Sequence, residues 1–279
     1  MTRIALIGGG RIGEALLAGL LSTGDRKPRD LVVVEKNAAR TSELTSTYGV
    51  WVTKDLHEAL EGVSMAVIAV KPVDVPGVLT AIAELNNQDD SADSADTVVV
   101  SLAAGISTAT MERLLSAGTP VVRVMPNTPM LVGKGASAVC AGRYATEAHL
   151  EAVEQILGAM GVVRRVPETQ MDAVTAVSGS GPAYVFLAIE AMIDSGVALG
   201  LTREVASDLA VQTFFGSAAM VAESGHSPAE LRAAVTSPAG TTAAGVRVLE
   251  RMGVRSAFYE AMAAVVQRAG DLGAGAADD

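Results

Sequence analysis

The sequence predicts an α/β domain built on a parallel sheet, followed by an all-helical domain. Short runs of β-branched and aliphatic residues alternate with helix-period segments as far as about residue 166. Beyond Pro167 the strand-like runs stop, and from Met171 to Gly270 only helical patterns remain, broken at 178–182, Gly200, Gly225, 237–240 and Gly253. Of the 279 residues 49% are hydrophobic and only 3% aromatic, so both cores are expected to be packed from small aliphatic side chains. The expected domains are residues 1–166 and 167–279.

Ile4–Ile7 reads as the first strand, followed by a glycine-rich turn and the helix Glu14–Leu21. Leu31–Val34 is the second strand, with a polar helix after it through Tyr48. Met65–Val70 is the third, ended by Lys71-Pro72, and Val75–Leu85 is a helix with Pro76 in its first turn, where proline is tolerated. Residues 86–96 (NNQDDSADSAD) are polar and acidic, and read as a solvated loop without a function. Val98–Leu102 and Val121–Met125 flank the helix Thr108–Ala117, and Ser137–Ala141 and Val162–Val166 flank the helix Thr146–Met160. Strands alternating with helices at this spacing imply parallel strands covered on both faces. The tail from Gly273 is expected to fray.

A formal net charge of −10 argues against nucleic acid or an anionic membrane as a partner, though not against an anionic substrate met by local donors. Cys140 is the only cysteine, so no intrachain disulfide can form, which fits a reducing compartment. No secretory pattern precedes the first strand. Pro182–Gly200 is the most membrane-like stretch, but Glu190 and Asp194 lie one helical turn apart in it, so it reads as a buried or interface helix. The expected location is cytoplasmic. His57, His149 and His226 read as surface residues, and without a Cys/His cluster no metal is expected.

Ile7 is followed by Gly8-Gly9-Gly10-Arg11-Ile12-Gly13, a G-x-G-x-x-G pattern placed after a strand and opening a helix. In that context it is a Rossmann-type dinucleotide site: Gly8 permits the tight turn, Gly10 the approach of a pyrophosphate, Gly13 the packing of helix on strand. The helix N-terminus then offers free N–H groups to the phosphates. Glu35, ending the second strand, stands near where an acid binds the ribose hydroxyls of NAD. Lys36, Asn37 and Arg40 follow it and suit a 2′-phosphate. The two sets compete; the expectation favours NADP(H) and leaves NAD(H) open. Ala69-Val70-Lys71-Pro72 and Leu102-Ala103-Ala104 close two further strands at the edge where parallel sheets bind ligands. Their small apolar residues suit a wall beside the nicotinamide. Lys71 either meets the cofactor or caps its strand in water. Asn127 and Thr128, bracketed by Pro126 and Pro129, are candidates for the same region, or simply part of a rigid turn. Ser178-Gly179-Ser180-Gly181-Pro182 fits a close approach of helices better than a display of N–H donors.

In the helical half, Thr236-Ser237-Pro238-Ala239-Gly240-Thr241-Thr242 holds seven small residues, four of them with hydroxyls, just before a helix running to about Met252. Such a segment can hold an anion on backbone N–H groups, or be an ordinary helix cap. No lysine follows Lys134, which excludes a catalytic lysine of the kind 3-hydroxyacid dehydrogenases carry in that half. A ketopantoate-type reductase and a nicotinamide-sensing binding protein are the competing readings; the second would need no hydroxyl-rich loop.

Taken together, IGGGRIG at 7–13, AVKP at 69–72, SLAAG at 101–105, RVMPNTP at 123–129, SGSGPAY at 178–184 and AVTSPAGTTAAGVRVLE at 234–250 resemble the pyrroline-5-carboxylate reductases in order and over almost the whole chain. The resemblance implies hydride transfer from NAD(P)H to the ring imine of 1-pyrroline-5-carboxylate, giving L-proline. It also implies a homodimer interlocked through the helical domains, often assembled into a ring of dimers. On that basis Ser237, Ala239, Gly240, Thr241 and Thr242 are the expected substrate contacts, with Thr242 hydrogen-bonded to the ring nitrogen. Two positions depart from the family pattern: its usual Gly-Gly is Ala239-Gly240 here, and an acidic residue of some members falls on Gly225, between Glu223 and His226.

Overall fold

β1 (Arg3–Ile7), β2 (Leu31–Val34), β3 (Trp51–Thr53), β4 (Val63–Ile68), β5 (Val98–Ser101), β6 (Val121–Met125), β7 (Gly135–Ala141) and β8 (Gly161–Arg165) form one sheet in the order β3-β2-β1-β4-β5-β6-β7-β8. The computed structural model describes residues 3–22, 24, 26–88 and 97–278. The valine-rich strands β2 and β5 are buried at every position, as parallel strands covered on both faces must be. On one face α1 (Arg11–Ser22), α2 (Ala38–Tyr48) and α6 (Glu147–Gly158) set Leu16, Leu17, Leu44 and Ile156 against Leu6 and Val33. On the other, α3 (Leu56–Leu60), α4 (Val75–Gln88) and α5 (Thr108–Leu114) set Ala59, Leu79 and Met111 against Ala5, Ile7 and Ile68. The order reverses between β1 and β4, the switch point at which such sheets open a crevice.

Three features differ from the expectation. β3 and α3 were not anticipated. β7 runs antiparallel to β6, pairing Val122 with Ala141 and Met125 with Ala138, while β8 is parallel to β7. The connection 126–134 explains the reversal, because a parallel crossover takes about a dozen residues or more. Finally, α4 extends to Gln88, so the first residues of the expected loop are helical; residues 89–96 of that loop lie outside the described residues.

Two compact units form, one comprising residues 1–180 with 264–279, the other residues 181–263. The strand pattern ends at β8, yet residues 168–180 remain with the sheet. In this stretch a 3-10 turn (Glu168–Gln170) and α7 (Met171–Val174) lead into a π-turn (Thr175–Gly179). Met171 is fully buried against Ala138 and Cys140. Arg123, itself buried, pairs with Glu168 and lies 3.8 Å from Asp172. Burial, then the charge and hydrogen bond of Glu168, push the Cys140 thiol up to about 11, so it is no nucleophile at neutral pH.

The second unit contains α8 (Gly181–Ala198), α9 (Arg203–Glu223), α10 (Pro228–Ala234), α11 (Thr241–Arg251) and the start of α12 (Val254–Asp278). α8 and α9 pack closely at Gly196, where a Cβ would stand 3.1 Å from that of Ala206. Gly200, at φ +102°, makes the turn between them. No residue of α8 is buried, and in α9 only Ala206 and Ala210 are. Phe186, Leu187, Leu209, Phe215, Met252 and Tyr259 face outward, far more apolar surface than a monomeric helical domain leaves in water. Within a single chain the Pro182–Gly200 stretch is therefore not buried, and the interface alternative remains. By length and composition alone 168–198 and 203–223 could also cross a membrane, although Asp194 is ion-paired with Arg203 at 2.9 Å. α12 continues through Asp278, so the tail expected to fray is helical as far as that residue.

Candidate active site

The carboxyl ends of four parallel strands finish level. Ile7 is in register with Val34 and Ile68, and Ile68 with Ser101. The chain leaves them at Gly8, Glu35, Ala69 and Leu102, and backbone bonds tie these exits together. Gly8 N–H donates to Val34 O (2.9 Å), Ala69 N–H to Ile7 O (2.8 Å) and Leu102 N–H to Ile68 O (2.9 Å). Four segments picked from the sequence thus stand side by side. A cleft of about 610 Å³ opens there, lined among others by Ile7, Gly8, Glu35, Lys36, Lys54 and Val70.

Each glycine of the first turn meets a different constraint. Gly8 has φ +109°, and a Cβ on Gly13 would lie 2.0 Å from the Gly8 carbonyl oxygen, so no side chain fits. A Cβ on Gly9 would come within 2.5 Å of Leu44 Cδ1. Gly10 is the exception: its Cβ would meet nothing within 4 Å. The protein's own packing does not require glycine there, whereas a pyrophosphate approaching the backbone does. The first helical bond of α1 runs from Glu14 N–H to Gly10 O (2.8 Å), leaving the N–H groups before it without intrahelical acceptors. Arg11 is exposed on that turn, and Ile12 packs onto the sheet core. Turn, free donors and cleft fit a dinucleotide.

The residues expected around the adenine ribose are mostly committed to the scaffold. Glu35 Oε2 accepts from Gly9 N–H (3.0 Å) and Oε1 from Asn37 N–H (2.8 Å). The Asn37 side-chain oxygen caps α2, accepting from Ala39 and Arg40 N–H. Arg40, expected beside a 2′-phosphate, instead donates to Gly9 O (2.7 Å), Glu43 (2.7 Å) and Glu14 (2.5 Å). The guanidinium holds the Glu14 carboxyl below the usual range, and burial then partly opposes it. Arg40 thus braces the glycine turn, and its charge is already matched by two carboxylates. Of the expected basic set only Lys36 is free, and Lys54, which follows β3, joins it at the cleft. Sequence reading missed Lys54 because it missed β3, whose Thr53 pairs with Val34.

Around the other strand ends, Leu102 and Ala103 are buried and Ala69, Val70 and Ala104 half-buried, an apolar wall as expected. Lys71 and Pro72 are exposed. Asn127 has both ends of its amide occupied, donating to Ser178 O (3.1 Å) and accepting from Ala136 N–H (2.8 Å), so it fixes the loop after β6. Gly179 is where the chain crosses that strand end: a Cβ there would lie 2.3 Å from Met125 Cε, so a larger residue would displace the end of that methionine.

In the second unit, Gly240 N–H donates to Ser237 O (3.0 Å), closing a turn ahead of α11. Ala239 in this turn has φ +58°, the one non-glycine residue at positive φ among the described residues. α2, α3, α5, α6, α9 and α10 are each capped by a side chain, those of Asn37, Asp55, Ser107, Thr146, Thr202 and Ser227. α11 begins at Gly240 with no side-chain cap. Its first N–H groups and the hydroxyls of Ser237, Thr241 and Thr242 have no partner among the described residues.

Comparison with known proteins agrees with this geometry. A family described as "Pyrroline-5-carboxylate reductase dimerisation" matches residues 168–272, and one described as "NADP oxidoreductase coenzyme F420-dependent" matches residues 3–105. A Corynebacterium melassecola protein named pyrroline-5-carboxylate reductase is 50% identical over 274 residues, covering 98% of this chain and 99% of its own. Among solved structures, a pyrroline-5-carboxylate reductase from Coxiella burnetii superposes with a TM-score of 0.88 at 34% identity, over 97% of this chain and 98% of the other. The Plasmodium falciparum pyrroline carboxylate reductase, solved with NADP bound, gives 0.85 at 29% identity over 98% of each chain.

Proposed function

The chain belongs to the pyrroline-5-carboxylate reductase family and reduces 1-pyrroline-5-carboxylate to L-proline with NADP(H), NAD(H) being a possible alternative; from that premise we propose which residues carry the reaction. The first unit binds the cofactor, with Ile7–Gly13 and the N-terminus of α1 on the pyrophosphate. Glu35–Asn37 lie at the ribose, and Ala69–Pro72, Leu102–Ala104 and the Asn127 loop beside the nicotinamide. When bound, the nicotinamide supplies the hydride. The apolar wall excludes water from the reacting carbon.

The substrate carboxylate is held by the loop Ser237–Thr242. A carboxylate leaving water must be met by several hydrogen bonds, and this half of the chain has no lysine to meet it. The observation that carries the assignment is the uncapped start of α11, with its free N–H groups and favourable helix dipole. Thr242 Oγ1 hydrogen-bonds the ring nitrogen. A protonated imine already accepts hydride, so a strong general base is not needed, in keeping with the residues present. Pyrroline-5-carboxylate-dependent oxidation of NADPH tests the assignment. Thr242→Ala should lower kcat roughly ten- to a thousand-fold with NADPH affinity intact; an unchanged kcat removes Thr242 from the reaction.

We further assign residues 1–166 to nucleotide binding and 167–279 to substrate binding and dimerisation. The outward apolar faces of α8 and α9 are covered by a second copy rather than by lipid, and dimers associate further into a ring. The enzyme works in the cytoplasm, as its charge and single reduced cysteine suit.

A further inference from the structure

We propose that Lys54, acting with Lys36, distinguishes NADP(H) from NAD(H) in this protein, in the role that residue type alone would give Arg40. The inference rests on the reading that the β1–α1 turn holds the dinucleotide pyrophosphate. From that turn the adenosine lies along the ends of β2 and β3, the strands that carry these lysines. Glu35 N–H donates to Thr53 O (3.0 Å), which fixes Lys36 and Lys54 as neighbours just past paired strand ends. Both line the same cleft, both are exposed, and neither has a hydrogen bond or ion pair among the described residues.

Arg11 and Lys71 are also exposed at neighbouring turns, but neither lines this cleft, and the remaining charged groups nearby are engaged or acidic. Arg40 is neutralised by Glu14 and Glu43 and holds Gly9 O. Asn37 caps α2 with its oxygen. Glu35 is turned onto two backbone N–H groups, which dampen its repulsion of a phosphate. Asp74 is the remaining acid lining the cleft. A dianionic 2′-phosphate entering here finds two ammonium groups with charge to give, and a ribose hydroxyl gains little from either.

Isothermal titration of the full-length protein with 2′,5′-ADP against ADP, and with NADPH against NADH, tests this without turnover. Lys54→Ala and Lys36→Ala should each weaken 2′,5′-ADP and NADPH roughly ten-fold, the effect of one charge-assisted contact, and change ADP and NADH less than about two-fold. Lys54→Arg should retain the preference, and added salt should shrink it in the wild type. Arg40→Ala should weaken both nucleotides alike through the loosened turn. A double lysine variant with an unchanged NADPH-to-NADH ratio overturns the proposal, as does an Arg40→Ala loss confined to NADPH. If neither nucleotide binds the wild type, the dinucleotide reading falls first and this one with it.

Discussion

Gly10→Ala separates what the fold needs from what the ligand needs. Because the added methyl meets nothing within 4 Å and Gly10 is not at positive φ, the folded state loses nothing. The unfolded chain loses freedom, so the variant should be more stable by about 0.4–1 kcal/mol, or about 1–4 °C in Tm for a chain of this size. Yet the methyl occupies the space assigned to the pyrophosphate. Losing one hydrogen bond from the turn to that charged group is expected to cost roughly ten- to a hundred-fold in NADPH affinity. Gly13→Ala makes the control. Its Cβ starts 2.0 Å from the Gly8 carbonyl, which must retreat by about 1 Å to clear it. That variant should lose both stability, by about 1–3 kcal/mol, and NADPH affinity. Differential scanning calorimetry and NADPH titration read the two quantities separately. A Gly10→Ala protein that binds NADPH as tightly as the wild type refutes the reasoning, because the open space would then have no ligand to explain it.

Three other outcomes are expected. Gly240→Val should raise the KM for pyrroline-5-carboxylate steeply while sparing NADPH binding, because its Cβ would stand 2.4 Å from Ser237 Oγ and disturb the turn. Ala239→Gly should raise stability by about 1 kcal/mol by relieving the left-handed alanine, measured as a shift in denaturant midpoint; a loss of stability argues against strain there. Light scattering should find a dimer mass or a multiple of it at micromolar concentration, and a folded, active monomer would contradict covered α8 and α9 faces.

The parts of the fold that sequence made legible are those where many residues repeat one signal. β2 and β6 were placed to the residue, because β2 is an unbroken aliphatic run between Asp30 and Glu35, and β6 is a valine-rich run, broken only by Arg123, between Pro120 and Pro126. β3 was not, since three residues with Trp51 outward carry no period to read. The direction of β7 could have been inferred from the short 126–134 connection, a length argument that hydropathy does not make. At the site, the glycine turn was readable because its constraints are local. The work of Arg40 was not, because its partners Glu14 and Gly9 come from a different helix and turn, brought alongside only by the sheet. Lys54 was hidden because the short strand β3, which sets it beside Lys36, was itself unread.

The bare start of α11 has a consequence for stability as well as for binding. At α2, α3, α5, α6, α9 and α10 an asparagine, aspartate, serine or threonine oxygen performs the capping, and losing one typically costs about 0.5–2 kcal/mol. At α11 the chain leaves that position open, and on the reading proposed above the substrate's own carboxylate fills it. Substrate and product then act as a transferable capping residue, and their arrival finishes a piece of secondary structure. Proline alone, without cofactor, should accordingly slow amide exchange in the first turn of α11 before it protects any other helix start.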